Sequence, residues 1–380
     1  MSLRAETALA RLALAGTLLI APSGALRSAN AAPDARLVDA AKAQEWTQVQ
    51  SLVRQRADVH ATQPDGATAL HWAVYWDQAD IVDALLRAGA RVNVANEFGA
   101  TPLWIACSEG RAAMIDRLLR AGANANATLA NGETALMTAS RTGSLEAVRL
   151  LVAHGAQVNA REPMRNQTAL MWAVAERHAD VTRVLVEAGA DVGARSTVRR
   201  MLTNAGQDGI RRLSGDYTDF IDEDQGGYTP LLLAARSGDA LSARLLVRAG
   251  ANVNETTPLG TTPLVVAAFS GQSDTADTLL DLGADPNAAG GGYSALHVAI
   301  LRGDLPLTRK LLSKGANPNA RLEKATSVRR SSQDWALHPS WVGATPLWLA
   351  AKFGDTPLMR ALAEAGADSR FVRKDGTNIL

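Results

Sequence analysis

The sequence predicts an all-α fold, a solenoid of stacked helix-turn-helix units with projecting β-hairpin loops. A tetrapeptide recurs eight times: Thr68-Ala69-Leu70-His71, Thr101-Pro102-Leu103-Trp104, Thr134-Ala135-Leu136-Met137, Thr168-Ala169-Leu170-Met171, Thr229-Pro230-Leu231-Leu232, Thr262-Pro263-Leu264-Val265, Ser294-Ala295-Leu296-His297 and Thr345-Pro346-Leu347-Trp348. The intervals are 33, 33, 34, 61, 33, 32 and 51 residues, so two of them are a repeat plus an insertion. A Gly-Ala pair follows each, at 89, 122, 155, 189, 250, 283, 315 and 366. A period of this length marks one supersecondary unit, which buries too little apolar surface alone and must stack on its neighbours.

Each part of the unit has a physical reason. The Thr is placed as a helix N-cap, whose hydroxyl satisfies an orphan backbone donor, and the Pro that often follows costs no hydrogen bond at the first helical position. The first helix carries a small pair, such as Ala73-Val74, Ala106-Cys107, Ala234-Ala235, Ala267-Ala268 or Ala350-Ala351, which lets a neighbour approach closely. Gly110, Gly143, Gly238, Gly271, Gly303 and Gly354 stop it. The second helix shows apolar pairs such as Leu85-Leu86, Leu118-Leu119 and Leu311-Leu312, and ends on the Gly of Gly-Ala, a residue free to take the left-handed C-cap conformation. A short extended stretch, Val92-Asn93-Val94 or Val253-Asn254, then leads into a glycine-containing turn such as Asp65-Gly66 or Asn131-Gly132.

In this pattern the chain resembles an ankyrin-repeat protein, with eight units starting near 67, 100, 133, 167, 228, 261, 293 and 344 in the span 67–380. A degenerate N-terminal capping unit over 34–66 keeps Ala40-Ala41 and Leu52-Val53 but has Arg56 where glycine belongs. The resemblance implies a gently curved solenoid that holds other proteins through a concave groove and its hairpin tips and performs no chemistry. It implies that His71 and His297 are capping histidines, and that Trp72, Trp104, Trp172 and Trp348 stack between units.

The same register sorts core from surface. At 100° per residue Leu70, Ala73 and Val74 share a face, while Tyr75 and Trp76 fall roughly 120° to 140° from Leu70. In ankyrin proteins those two positions look into the groove with the hairpin residues before each Thr. The resulting candidate binding set is Tyr75, Trp76, Phe98, Arg141, Tyr228, Arg236, Phe269, Tyr293, Trp341, Lys352 and Phe353. Eight of the chain's seventeen aromatics fall in it, and Tyr, Trp and Arg are the types that dominate binding hot spots.

The two insertions interrupt the hairpin region at about 197–227 and 322–342. The first begins basic (Arg199, Arg200, Arg211, Arg212) and turns acidic (Asp216, Asp219, Asp222, Glu223, Asp224) around Tyr217 and Phe220; the second holds Lys324, Arg329 and Arg330, then Trp335, His338 and Trp341. Insertions of this kind fall on one face, often the binding face.

The N-terminal residues set an expected compartment. Arg4 and Arg11, an apolar run from Leu12 to Ala21 and the small residues of Ala29-Asn30-Ala31 read as a secretory signal peptide over 1–31. The apolar run is shorter than the roughly 20 residues of a spanning helix, so no stable membrane insertion is expected once the signal is removed. Together with the resemblance this reads as an exported bacterial protein, periplasmic or extracellular. At the other end, the last helix carries Leu358, Met359 and Leu362 where a capping unit would be polar, which reads as an array cut short or as an end covered by a partner or, through self-association, by a second copy.

Composition closes off other classes. The full chain has a net charge of +1, and cleavage after Ala31 leaves 36 basic and 37 acidic residues, a charge of −1. Neither value gives the basic field that nucleic-acid binding requires. The single Cys107 cannot form an internal disulfide and reads as an inert buried thiol, and no paired ligands suit a metal. His60, His154, His178 and His338 lie in separate units, and no nucleophile elbow or phosphate loop is present. The expectation is a non-catalytic scaffold with an unidentified protein partner and no cofactor; the alternatives are a self-associating structural solenoid and an enzyme whose site is built from the insertions.

Overall fold

A computed structural model describes residues 35–204, 220–326 and 336–378. The expected signal peptide, Arg211, Arg212, Asp216, Tyr217 and Asp219 of the first insertion, and Arg329, Arg330 and Trp335 of the second lie outside the described residues.

Nine helix pairs follow one another among the described residues. They are α1 (Arg36–Lys42) with α2 (Trp46–Arg54), α3 (Ala69–Tyr75) with α4 (Ala79–Arg87), α5 (Pro102–Ser108) with α6 (Ala112–Arg120), α7 (Ala135–Thr142) with α8 (Leu145–Ala153), and α9 (Ala169–Ala175) with α10 (Ala179–Glu187). After the first insertion come α11 (Pro230–Ser237) with α12 (Ala240–Arg248), α13 (Pro263–Phe269) with α14 (Ser273–Asp281), α15 (Ala295–Leu301) with α16 (Leu305–Ser313), and α17 (Pro346–Lys352) with α18 (Thr356–Glu364). Each first, or inner, helix packs on the inner helices of the units before and after it, and the second, outer, helices form a parallel row behind. The stack continues across both insertions, because α9 packs on α11 and α15 on α17.

Local chemistry sets the helix boundaries. The hydroxyls of Thr68, Thr101, Thr134, Thr168, Thr229, Thr262 and Thr345 each accept the amide N–H three residues on, and Pro102, Pro230, Pro263 and Pro346 occupy first-turn positions. In each unit the turn between the helices needs a left-handed residue. Gly143 supplies it at φ 73°, but Asp77 takes it at 57°, Arg177 at 64° and Gln44 at 61°, conformations that cost a side-chain-bearing residue about 1 kcal/mol or more. Arg56, standing where glycine was expected, is likewise left-handed at 59°.

The core is continuous along the stack. Ala73, Val74, Ala106, Cys107, Ala234 and Ala235 are completely buried, together with the outer-helix residues Leu85, Leu118, Leu151 and Leu311. Asparagine side chains clip successive units together on the loop side. Asn93 donates to the Gly122 carbonyl at 3.1 Å and accepts the Asn124 amide at 2.7 Å. Asn126, Asn159, Asn287 and Asn319 repeat both bonds, the last reaching Gly366 across the second insertion. In the fifth unit that position is Gly193, so this clip is missing between the fifth and sixth units.

One expectation is corrected, at the last helix, while the projecting hairpin expected of the loops is present. The loops before each Thr are mostly stacked turns, with isolated bridges only at Thr62–Thr68 and Thr128–Thr134 among the described residues. The regular hairpin is in the first insertion, where β1 (Val198–Asn204) pairs antiparallel with β2 (Phe220–Gly226) and Arg200 stands opposite Asp224. The apolar ridge of the last helix does not form an open end: Leu358 and Leu362 are buried, and α18 exposes Thr356, Pro357, Arg360, Ala363 and Glu364. The 3.6-residue period turns the leucines inward against the preceding unit, leaving a largely polar outer face.

Candidate binding surface

The C-terminal ends of the inner helices form the candidate surface, and the following unit ties them down. The last carbonyls of a helix lack intrahelical partners, and cations are favoured beside them. Arg111 donates to the carbonyls of Val74 and Tyr75, both at 2.6 Å. The His178 Nε2 lies 3.1 Å from the Arg141 carbonyl, Ser237 donates to Val174 at 3.1 Å, and Arg302 donates to Phe269 at 3.1 Å. Residues at these helix ends are therefore held at fixed positions before any partner arrives.

Nine of the eleven sequence-predicted residues gather in three places. In the second unit the Tyr75 ring stands edge-on to Trp72 at 6.0 Å and to Trp76 at 5.0 Å, with Tyr75 half-buried and Trp76 37% exposed. In the sixth to eighth units Tyr228, Arg236, Phe269 and Tyr293 line one depression of about 260 Å³ with Leu259, Val266 and Thr326. The Arg236 guanidinium lies 4.9 Å over the Tyr228 ring, and Phe269 is 38% exposed. The third group, in the last unit, is Trp341 against Phe353 at 5.6 Å, with the Lys352 ammonium 5.6 Å from Trp341 and 5.7 Å from Trp348. Phe353 is 45% exposed.

Lys352 therefore belongs with Trp341 and Phe353, while Phe98 and Arg141 stand apart. Phe98 is 44% exposed on the third unit's loop, where its carbonyl accepts the Ala130 amide. Arg141 is half-buried as an internal strut, 3.5 Å from the Glu133 carboxylate and 5.4 Å over Trp172. Its exposed neighbour in sequence, Thr142, gave no hint of this, because Glu133 is a loop residue whose approach depends on the fold. Trp172 is only half-buried under that arginine, whereas Trp72, Trp104 and Trp348 are buried between units as expected.

Sequence reasoning missed Arg373. Its guanidinium covers Trp348 at 4.7 Å and donates to the Ser340 carbonyl at 2.5 Å and to Val342 at 3.2 Å, fixing the loop that carries Trp341. It also missed Leu259, Val266 and Thr326, which lie on three different segments and share no local motif.

The titratable groups nearby serve structure. The His71 Nδ1 accepts the Thr68 amide at 3.1 Å and lies 2.8 Å from its hydroxyl, so Nε2 carries the proton and donates to the Ala100 carbonyl at 3.1 Å. His297 makes the same contacts with Ser294, at 3.2 and 2.9 Å. Burial lowers both imidazoles to about 4, against the opposing pull of nearby backbone carbonyls. Burial pushes the Cys107 thiol far up, which removes its nucleophilicity. The His338 Nδ1 is 2.7 Å from the Ser340 hydroxyl. Among the described residues no three His, Cys, Asp or Glu side chains converge as a metal site, and no helix is long and apolar enough to cross a membrane.

Fold and site thus define a repeat solenoid whose inner-helix ends and adjoining loops present aromatic and cationic side chains. The family model for ankyrin repeats in sets of three matches residues 37–128, 111–196 and 204–290, and the single ankyrin repeat matches 291–322 and 342–374. The chain belongs to the ankyrin-repeat family. Among solved structures it is similar to the human ASB11 ankyrin repeat domain, at 26% identity and a TM-score of 0.51, over 66% of this chain and 98% of that one. No curated protein matches it. Ankyrin repeats are protein-interaction modules, and no catalytic family is indicated.

Proposed function

We propose that this protein is an exported, non-catalytic scaffold that captures a protein partner along its concave groove and the adjoining hairpin tips. The observation that carries the reading is the set of aromatic side chains left partly exposed at the ends of the inner helices, above all Trp76, Phe269 and Phe353. A buried stack has no need of rings there, and a preformed surface loses little conformational entropy on binding, so a few aromatic anchors dominate affinity. Residues 1–31 support export, and the near-neutral charge argues against nucleic acid as the partner.

Replacement of Tyr75 and Trp76 by alanine tests the reading. Trp76 is more than a third exposed, and Tyr75 is only partly buried, its ring edge-on to Trp72. The double variant is expected to lose about 1 to 2 kcal/mol of stability, the scale of aromatic pair contacts. It is also expected to lose crosslinking-dependent partner capture from the exported fraction. Unchanged capture would refute groove binding at this end, and global unfolding would place both rings in the core.

A further inference from the structure

We propose that the concave face of the sixth to ninth units docks an extended acidic segment of the partner. One aromatic or aliphatic side chain seats in the depression bounded by Tyr228, Leu259, Val266, Phe269 and Tyr293, and flanking carboxylates pair with Arg236 and Lys352. The inference deepens the recognition reading above and rests on it.

The charge along the groove changes sign of character from one half to the other. At the seventh to ninth positions after each cap residue, the second to fifth units carry Asp77, Glu109 and Glu176 against Arg141 and Arg177. Arg141 is already engaged by Glu133. The same positions in the sixth to ninth units carry Arg236, Arg302 and Lys352, with no carboxylate among them. The aspartates that come next, Asp239, Asp304 and Asp355, accept backbone amides at the start of their outer helices, at 3.0, 2.9 and 3.0 Å. Their charge is therefore met by a helix N-terminus. Among the described residues Asp224 is the one carboxylate lining the depression.

The geometry of the two cations suits carboxylates. Arg236 is exposed, with its guanidinium 4.9 Å over the Tyr228 ring, and an arginine so placed can pair a planar carboxylate through two parallel N–H bonds. Lys352, held 5.6 Å from Trp341, offers a second positive centre three units along the groove. Between them the exposed Phe269 and the apolar walls of the depression provide an anchor site. A basic segment would bring like charge to both cations, and a purely apolar one would leave them unused.

The test is selection of random twelve-residue peptides on the full chain by display. Enriched peptides are expected to carry net negative charge with at least one aromatic or large aliphatic residue. Their affinity is expected to fall at least about tenfold when Arg236→Glu and Lys352→Glu are combined, and to fall in high salt, as interfacial charge pairs require. Arg236→Lys should restore part of the loss relative to Arg236→Glu, and Phe269→Ala should weaken the apolar anchor. Thermal melts check folding, and Arg236→Gln with Lys352→Gln replaces the charge reversal if that variant does not fold. Absence of enrichment, enrichment of neutral or basic peptides, or unchanged affinity in the folded variants overturns the proposal. Equal competition by a twelve-nucleotide oligothymidylate also overturns it, since the face would then read bare polyanions. If these peptides fail while the Tyr75 and Trp76 variant still loses partner capture, groove recognition stands and only the acidic-segment inference falls.

Discussion

Acidification should weaken this solenoid through two histidines before most carboxylates titrate. His71 and His297 sit at about 4 in the folded chain, whereas an exposed histidine titrates near 6.5. The cause is burial, reinforced by geometry: each Nδ1 already accepts a backbone N–H, so a proton added there would face another donor. Between those two values the unfolded chain binds protons that the folded chain does not. Stability therefore rises with pH across this window, is fully present above 6.5, and is lost as pH falls towards 4. From pH 7.5 to 5.0 the loss comes to about 2 kcal/mol per histidine and about 4 kcal/mol for the pair. Glu255, raised by burial, works in the opposite sense, because its protonation favours the folded state as pH falls. Urea unfolding followed by circular dichroism at pH 7.5, 6.5, 5.8 and 5.0 measures the dependence. His71→Asn with His297→Asn should be less stable than wild type at pH 7.5, having lost the cap contacts, yet should lose far less on acidification. Equal pH dependence in the two proteins would refute the reasoning, since it would mean that the imidazoles charge freely in the folded state.

Two further outcomes are expected. Gly193→Asn should add the missing clip between the fifth and sixth units: an added Cβ meets only Asp191 Oδ1, at 3.5 Å, and a gain of about 0.5 to 1 kcal/mol in the same urea assay is expected for the restored hydrogen bonds; a loss would show that the first insertion has changed the spacing of these loops. Secretion of the full chain from a bacterial host should yield a protein whose N-terminal sequencing begins at Ala32, and retention of Met1 would remove the export reading.

Much of the fold is legible in the sequence because it is local. A Thr or Ser at the caps of the eight repeats, Pro at several first turns and a glycine after most helices act within one or two turns, and the structure uses them where they stand. What was not legible depends on approach between segments far apart in the chain. Arg141 looked like a groove residue by angle, but Glu133 and Trp172 hold it from two different loops and helices. Arg373 looked like an ordinary charge until the fold laid it across Trp348. Leu358 and Leu362 read as an open apolar end because no following unit was in view, whereas the previous unit buries them.

The sequence by itself determined the repeat, its caps and its small-residue contact faces. These follow from periodicity and from hydrogen bonds closed within a few residues. Only the tertiary structure decided which side chains remain available. Packing of each unit on the next tied the helix ends, drew Arg141 inward, brought Tyr228, Phe269 and Tyr293 from three units around one depression, and left Arg236 and Lys352 exposed. Exposure is a property of the stack, and no single unit contains the neighbours that set it.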